Sequence, residues 1–109
     1  MKKEIEFEIG SGNVFKDLGR ENADQLLIRS HMIMQINDIV KARGLKQAEV
    51  AELVGMAQPE ISKLLRGAVR QFSTERIMQV LNRLGRDIEI VIKPTPKRRP
   101  AGRTTVKAA

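Results

Sequence analysis

Side chains suited to covalent or metal chemistry are scarce in this chain. Cysteine does not occur and His31 is the single histidine, which excludes disulfides and thiolate metal sites. No metal-ligand cluster, glycine-rich phosphate loop or nucleophile motif can be read, so neither an enzyme nor a cofactor is expected. The available chemistry is that of amides, hydroxyls and cations. These gather in Gln47–Gly67, QAEVAELVGMAQPEISKLLRG, and just beyond it at Arg70. Such groups hydrogen-bond and attract polyanions. The only aromatics, Phe7, Phe15 and Phe72, read as core residues, which argues against binding unpaired bases by stacking.

Charge follows the same segregation. Residues 1–40 carry five Lys/Arg against seven Asp/Glu, whereas residues 41–86 carry nine against four. Residues 87–93 carry one against two, and residues 94–109 carry five against none. The net charge of +7 therefore sits on the middle of the chain and on its C-terminal tail, as suits a nucleic-acid partner. A basic tail that only keeps the protein soluble is the plainer alternative. No apolar run approaches the roughly 20 residues that span a bilayer. The N-terminus alternates glutamate where an export signal would be apolar, so a cytoplasmic protein with no membrane partner is expected.

The elements that would position these groups can be read from periodicity. Residues 4–9, EIEFEI, alternate, with Ile5, Phe7 and Ile9 on one face, as in a half-buried strand. Asn22 with Gln25 three residues on resembles a capping box, predicting a helix from about Ala23 to Arg43. Its core stripe would be Leu26, Ile33, Ile36 and Val40, widened by Leu27, Met34 and Ile39. Gly44 would stop it. Two short helices follow, about Gln47–Val54 and Gln58–Leu65. A fourth starts at Ser73, an N-cap, with Phe72 stapling against Ile77, and ends at Gly85. Residues 87–93, DIEIVIK, alternate again, with Ile88, Ile90 and Ile92 on one side. Residues 94–109 contain three prolines and no periodicity, predicting a disordered basic tail.

The two short helices form a helix-turn-helix. Neither is long enough to be stable alone. Ala51 is small enough for close approach of the second helix, and Gly55 sits where the turn needs positive φ. Pro59 fits the first turn of the second helix, where its missing N–H costs nothing. Val50, Leu53, Val54, Ile61, Leu64 and Leu65 are the apolar anchors. The predicted fold is mostly α: a bundle of four to five helices with short N- and C-terminal strands. Residues 1–93 form the domain, with the helix-turn-helix at 47–67.

QAEVAELVG…QPEISKLLRG resembles the lambda repressor and Cro type of DNA-binding domain, the Xre family, over roughly Gln35–Leu84. The longer pattern GNVFKDLG…FSTERIMQVLNRLGRDIEIVIKP is similar to HigA-type antitoxins and related small Xre regulators. The resemblance implies that the second helix enters the major groove of duplex DNA. Gln58 then matches the first reading position, where glutamine can bridge N6 and N7 of adenine. Pro59 can touch a thymine methyl. Ser62 and Lys63 follow on the same face, and Glu60 is peripheral or accepts from a cytosine amino group. Gln47 matches a phosphate-holding position, and Arg66 and Arg70 are phosphate clamps. The alternative for all of them is an ordinary solvated face.

Two positions depart from the family pattern. Lys46 and Ala57 stand where Thr or Ser usually cap the two helices, which predicts uncapped starts. One module reaches only a few base pairs, so the resemblance implies a homodimer on a palindrome. The dimer surface is expected at the segment with Ile88, Ile90 and Ile92, with Leu81 behind it; a two-stranded sheet with Ile5–Ile9 is the intramolecular alternative. The antitoxin resemblance further implies a small basic ribonuclease toxin as partner, docking on the acidic N-terminal residues. A stand-alone regulator without a toxin, a protein-binding antitoxin with little DNA binding, and a helix-turn-helix bundle that binds no DNA are the other readings.

Overall fold

The computed structural model describes residues 18–109, with side chains from residue 23 onward. The predicted strand at 4–9 and the acidic residues Glu4, Glu6, Glu8 and Asp17 lie outside the described residues. Four α-helices follow one another: α1 (Leu18–Ala42), α2 (Gln47–Val54), α3 (Gln58–Leu65) and α4 (Thr74–Arg83), with a 3-10 turn at Val69–Gln71 before α4.

The bounds of α2 and α3 coincide with the expected ones, whereas α1 differs at its start. It is already helical at Leu18, so Asn22 lies inside the helix and does not cap it. At the other end Gly44 takes φ +63. The Leu45 N–H donates to Val40 O at 3.0 Å and the Gly44 N–H to Lys41 O at 3.1 Å, a paired closure that satisfies two terminal carbonyls. Ser73 caps α4, its hydroxyl accepting from the Arg76 N–H at 3.1 Å.

α1 lies along α4 and the 3-10 turn and also touches α3, while α2 packs on α3 and α4. Ile36, Val50, Ile61, Leu64, Ile77 and Leu84 are the fully buried centre. Each comes from one of the amphipathic faces brought together here, and such burial drives the assembly of helices too short to stand alone. Phe72 and Ile77 share this core, as the staple reading requires.

Two expected core residues are exposed: Met34 at 51% and Leu53 at 42%. On α1 the buried positions are His31, Met32, Ile33, Ile36 and Ile39. The stripe is therefore rotated from the predicted one, and Met32 takes the interior place assigned to Met34. Leu53 sits on the outer side of α2, because Val50, Ala51 and Val54 face inward.

Residues 87–93 do not form the predicted strand, and no strand occurs among the described residues. Alternation specifies two faces, but a strand also needs a neighbour for its N–H and C=O groups. The described part of the chain supplies none.

Candidate nucleic-acid interface

The helix-turn-helix is set by its turn. Gly55 adopts φ +72 and ψ +36, the left-handed conformation that a Cβ disfavours. Its N–H and that of Met56 both donate to Ala51 O, at 2.9 and 3.1 Å. Ala51 is 9% exposed, at the α2–α3 junction. A Cβ on Gly55 would meet only Arg83 Nη1, at 3.8 Å, so the backbone conformation, not crowding, requires glycine.

The two helix starts behave differently. At α2 the Lys46 N–H donates to the Glu49 carboxylate at 2.7 Å, so Glu49 supplies half of a capping box that the sequence reading of Lys46 missed. At α3 the residue before the helix, Ala57, has extended backbone and no side-chain cap, as expected. Pro59 stands in the first turn, where one amide donor is absent in any case.

Helix α3 buries Ile61 and Leu64. That orientation turns Gln58, Pro59, Ser62, Lys63 and Arg66 outward as one stripe, spaced i, i+1, i+4, i+5 and i+8. Gln58, Pro59, Lys63 and Arg66 are exposed and Ser62 is half-buried. Arg66 Nη1 donates to Ser62 Oγ at 3.0 Å, so the hydroxyl and the guanidinium form one unit. Gln47 is exposed at the first turn of α2, and Arg70 is exposed on the 3-10 turn beyond α3. The stripe thus combines amide, hydroxyl and cationic donors, with a cation beyond its C-terminal end.

Polar clamps hold this helix in place, and the sequence reading found none of them. Asn37 on α1 donates from Nδ2 to Leu65 O at 3.1 Å, and to Ile33 O on its own helix at 3.3 Å. It satisfies a carbonyl at the C-terminal end of α3. Near the other end, Arg76 Nη2 donates to Glu60 Oε1 at 2.9 Å. The Arg76 guanidinium also lies over the buried Phe72 ring, 5.5 Å from its centroid. Glu60 is therefore tied to α4. Arg29 donates to Thr74 Oγ1 at 3.1 Å and Val69 O at 3.3 Å, fixing the 3-10 turn and the start of α4. The available signal for all of these was a polar residue close to an otherwise apolar face.

A sequence profile described as a helix-turn-helix domain matches residues 14–93. Among solved structures, one protein assigned to the XRE family of transcriptional regulators is 35% identical and superposes with a TM-score of 0.78. The alignment covers 81% of this chain and 99% of that one. The chain belongs to the XRE family of helix-turn-helix proteins. No curated protein matches it.

The remaining predicted surface of this XRE-family chain comprises Leu81 on α4 and the isoleucines that follow the helix. Leu81 is 5% exposed and belongs to the core, so it offers no outer surface. Ile88 is half-buried against the same core. Ile90, Val91 and Ile92 are 74%, 73% and 92% exposed, an apolar run in water. Beyond it the chain bends at Lys97–Ala101, where the Arg99 N–H donates to Pro96 O at 3.1 Å. Val106 packs partly buried against the core. Among the described residues no group of His, Asp and Glu could hold a metal ion, and no helix is long and apolar enough to cross a membrane.

Proposed function

We infer that this protein is a sequence-specific regulator of transcription that binds duplex DNA through α3, as a homodimer on a palindromic operator. The observation that carries this is the outward stripe of α3, whose residue types match the donors that read base edges and phosphates. In this reading Gln58, Pro59, Ser62 and Lys63 face the bases, and Gln47, Arg66 and Arg70 hold phosphates. The XRE-family relationship and the +7 charge support it. The deciding experiment is a gel shift on the protein's own promoter with a Gln58→Ala, Lys63→Ala variant. A clear loss of affinity and of sequence preference is expected; unchanged binding would overturn the reading.

The dimer is supported by the exposed Ile90–Ile92 run, which water disfavours. Its ends are self-complementary: an antiparallel two-fold pairing centred on Ile90 sets Asp87 opposite Lys93 of the second copy at both ends. It also sets Ile88 opposite Ile92. A shift of the centre by one residue towards the C-terminus would put Pro94, which has no N–H, opposite Ile88. A palindromic operator would ask this dimer to hold its two reading helices about 34 Å apart, one turn of duplex DNA.

The further reading, carried by the resemblance to HigA-type proteins, is that the regulator is an antitoxin repressing its own operon and binding a small basic ribonuclease. Co-expression with the adjacent reading frame and purification of the pair tests it. Failure to co-purify, with DNA binding intact, would leave a stand-alone regulator.

A further inference from the structure

The reading helix carries one carboxylate, Glu60, three residues before its one lysine, Lys63. On an isolated helix an i, i+3 pair of opposite charge attracts, and Glu60 would draw Lys63 away from a ligand. In the fold this does not happen. Glu60 Oε1 accepts from Arg76 at 2.9 Å, and Lys63 has no ion pair among the described residues. Arg76 is itself anchored at its backbone and at its side chain. Its backbone N–H donates to the Ser73 cap, which fixes the first turn of α4, and its guanidinium lies over Phe72, which is 4% exposed. At 100° per residue, Glu60 lies on the flank of α3 nearest Lys63 and outside the stripe of Gln58, Ser62 and Arg66.

We propose that Arg76 is a positioning residue for the DNA-reading face: it holds the Glu60 carboxylate against α4, leaving Lys63 uncommitted and keeping negative charge out of the groove. This rests on the reading of α3 as the DNA-contacting helix. Arg76 acts through Glu60 and need not touch DNA. The pair is partly exposed, with both side chains at 41%, so it adds little stability by itself. Its effect is on where the carboxylate points.

The test compares the native chain with Arg76→Gln, Arg76→Lys, Glu60→Gln and the Glu60→Gln/Arg76→Gln double variant, by operator affinity at one fixed salt concentration. Arg76→Gln should weaken binding on the order of tenfold, because a freed carboxylate then faces phosphate and competes for Lys63. The double variant should recover to within about threefold of the native chain, since removing the carboxylate removes the repulsion. A double variant as weak as Arg76→Gln would overturn the proposal and make Arg76 a direct phosphate contact. An Arg76→Gln variant that binds like the native chain would also overturn it. If Arg76→Gln fails to fold by thermal melting, Arg76→Lys and the double variant carry the comparison, with recovery in the double again required. If the native chain binds no duplex, the reading of α3 itself has failed. Carboxylate NMR then decides the clamp: the Glu60 side-chain carboxyl signal should shift in Arg76→Gln at fixed pH, and an unchanged signal would overturn it.

Discussion

Ile92→Asp should separate dimerisation from folding. Ile92 is 92% exposed in the single chain, so the protomer gains almost nothing from it. Burying an isoleucine side chain fully contributes about 1.5–3 kcal/mol. In a two-fold pairing each substitution is counted twice, so the dimer should lose about 3–6 kcal/mol, before any penalty for placing a carboxylate there. The cost of association is common to both variants and cancels in the difference. Self-association should therefore weaken by about 10²–10⁴-fold, measured by sedimentation equilibrium over a concentration series. Protomer stability in urea should change by no more than about 0.5 kcal/mol, as for surface substitutions elsewhere. An unchanged dimer constant would refute the interface. A loss of protomer stability above about 1 kcal/mol would instead show that Ile92 packs within its own chain. Orientation has its own arm. A chain carrying both Asp87→Lys and Lys93→Asp should pair with itself as the native chain does and pair poorly with the native chain. A parallel pairing would give the reverse, because residues 87 and 93 would then each face their own counterparts.

Three further outcomes follow from the local structure. Ala57→Ser should supply the cap that α3 lacks and stabilise by about 1 kcal/mol, a rise of about 4–8 °C in Tm; no rise in a thermal melt would count against the uncapped start. Asn37→Asp turns a donor to Leu65 O into an acceptor facing a carbonyl, and should cost about 1–3 kcal/mol in urea unfolding, more than Asn37→Ala. His31 is buried, and desolvation holds its pKa below the ordinary 6.5. The unfolded chain therefore takes up the proton first, so stability should be constant above that value and fall as pH drops below it towards the lowered folded pKa. Melts of the native chain and a His31→Gln variant at pH 8 and pH 5.5 check this, and the fall should be smaller in the variant.

The helix-turn-helix was legible because its rules are local. A glycine at the turn, a small residue at Ala51 and apolar residues at helical spacing are each read within a few positions, and α2 and α3 lie at the expected residues. The outward residues of α3 were legible for the same reason, since Ile61 and Leu64 fix its rotation. What escaped was long-range. Asn37 meets Leu65 across 28 positions and Arg76 meets Glu60 across 16, and nothing in periodicity pairs a polar residue with a particular carbonyl or carboxylate. The face of α1 was misjudged at Met34 because methionine, leucine and isoleucine occur all round that helix, so hydropathy alone set its rotation weakly. The strand at 87–93 was read from alternation, which cannot supply a neighbour.

The clamps from α1 bear on which length changes the chain tolerates. Arg29 reaches Val69 O and Thr74 Oγ1, Asn37 reaches Leu65 O, and Arg43 reaches Leu84 O. Two points on α1 and Arg43 just past its end thus match three separate places in the later chain. One residue inserted between Arg29 and Arg43 would turn the downstream part of α1 by about 100° relative to the upstream part. At least one donor would then leave its acceptor, whichever end kept its place. Insertions in XRE-family relatives of this chain should accordingly spare α1, which acts as the ruler against which the rest of the domain is measured.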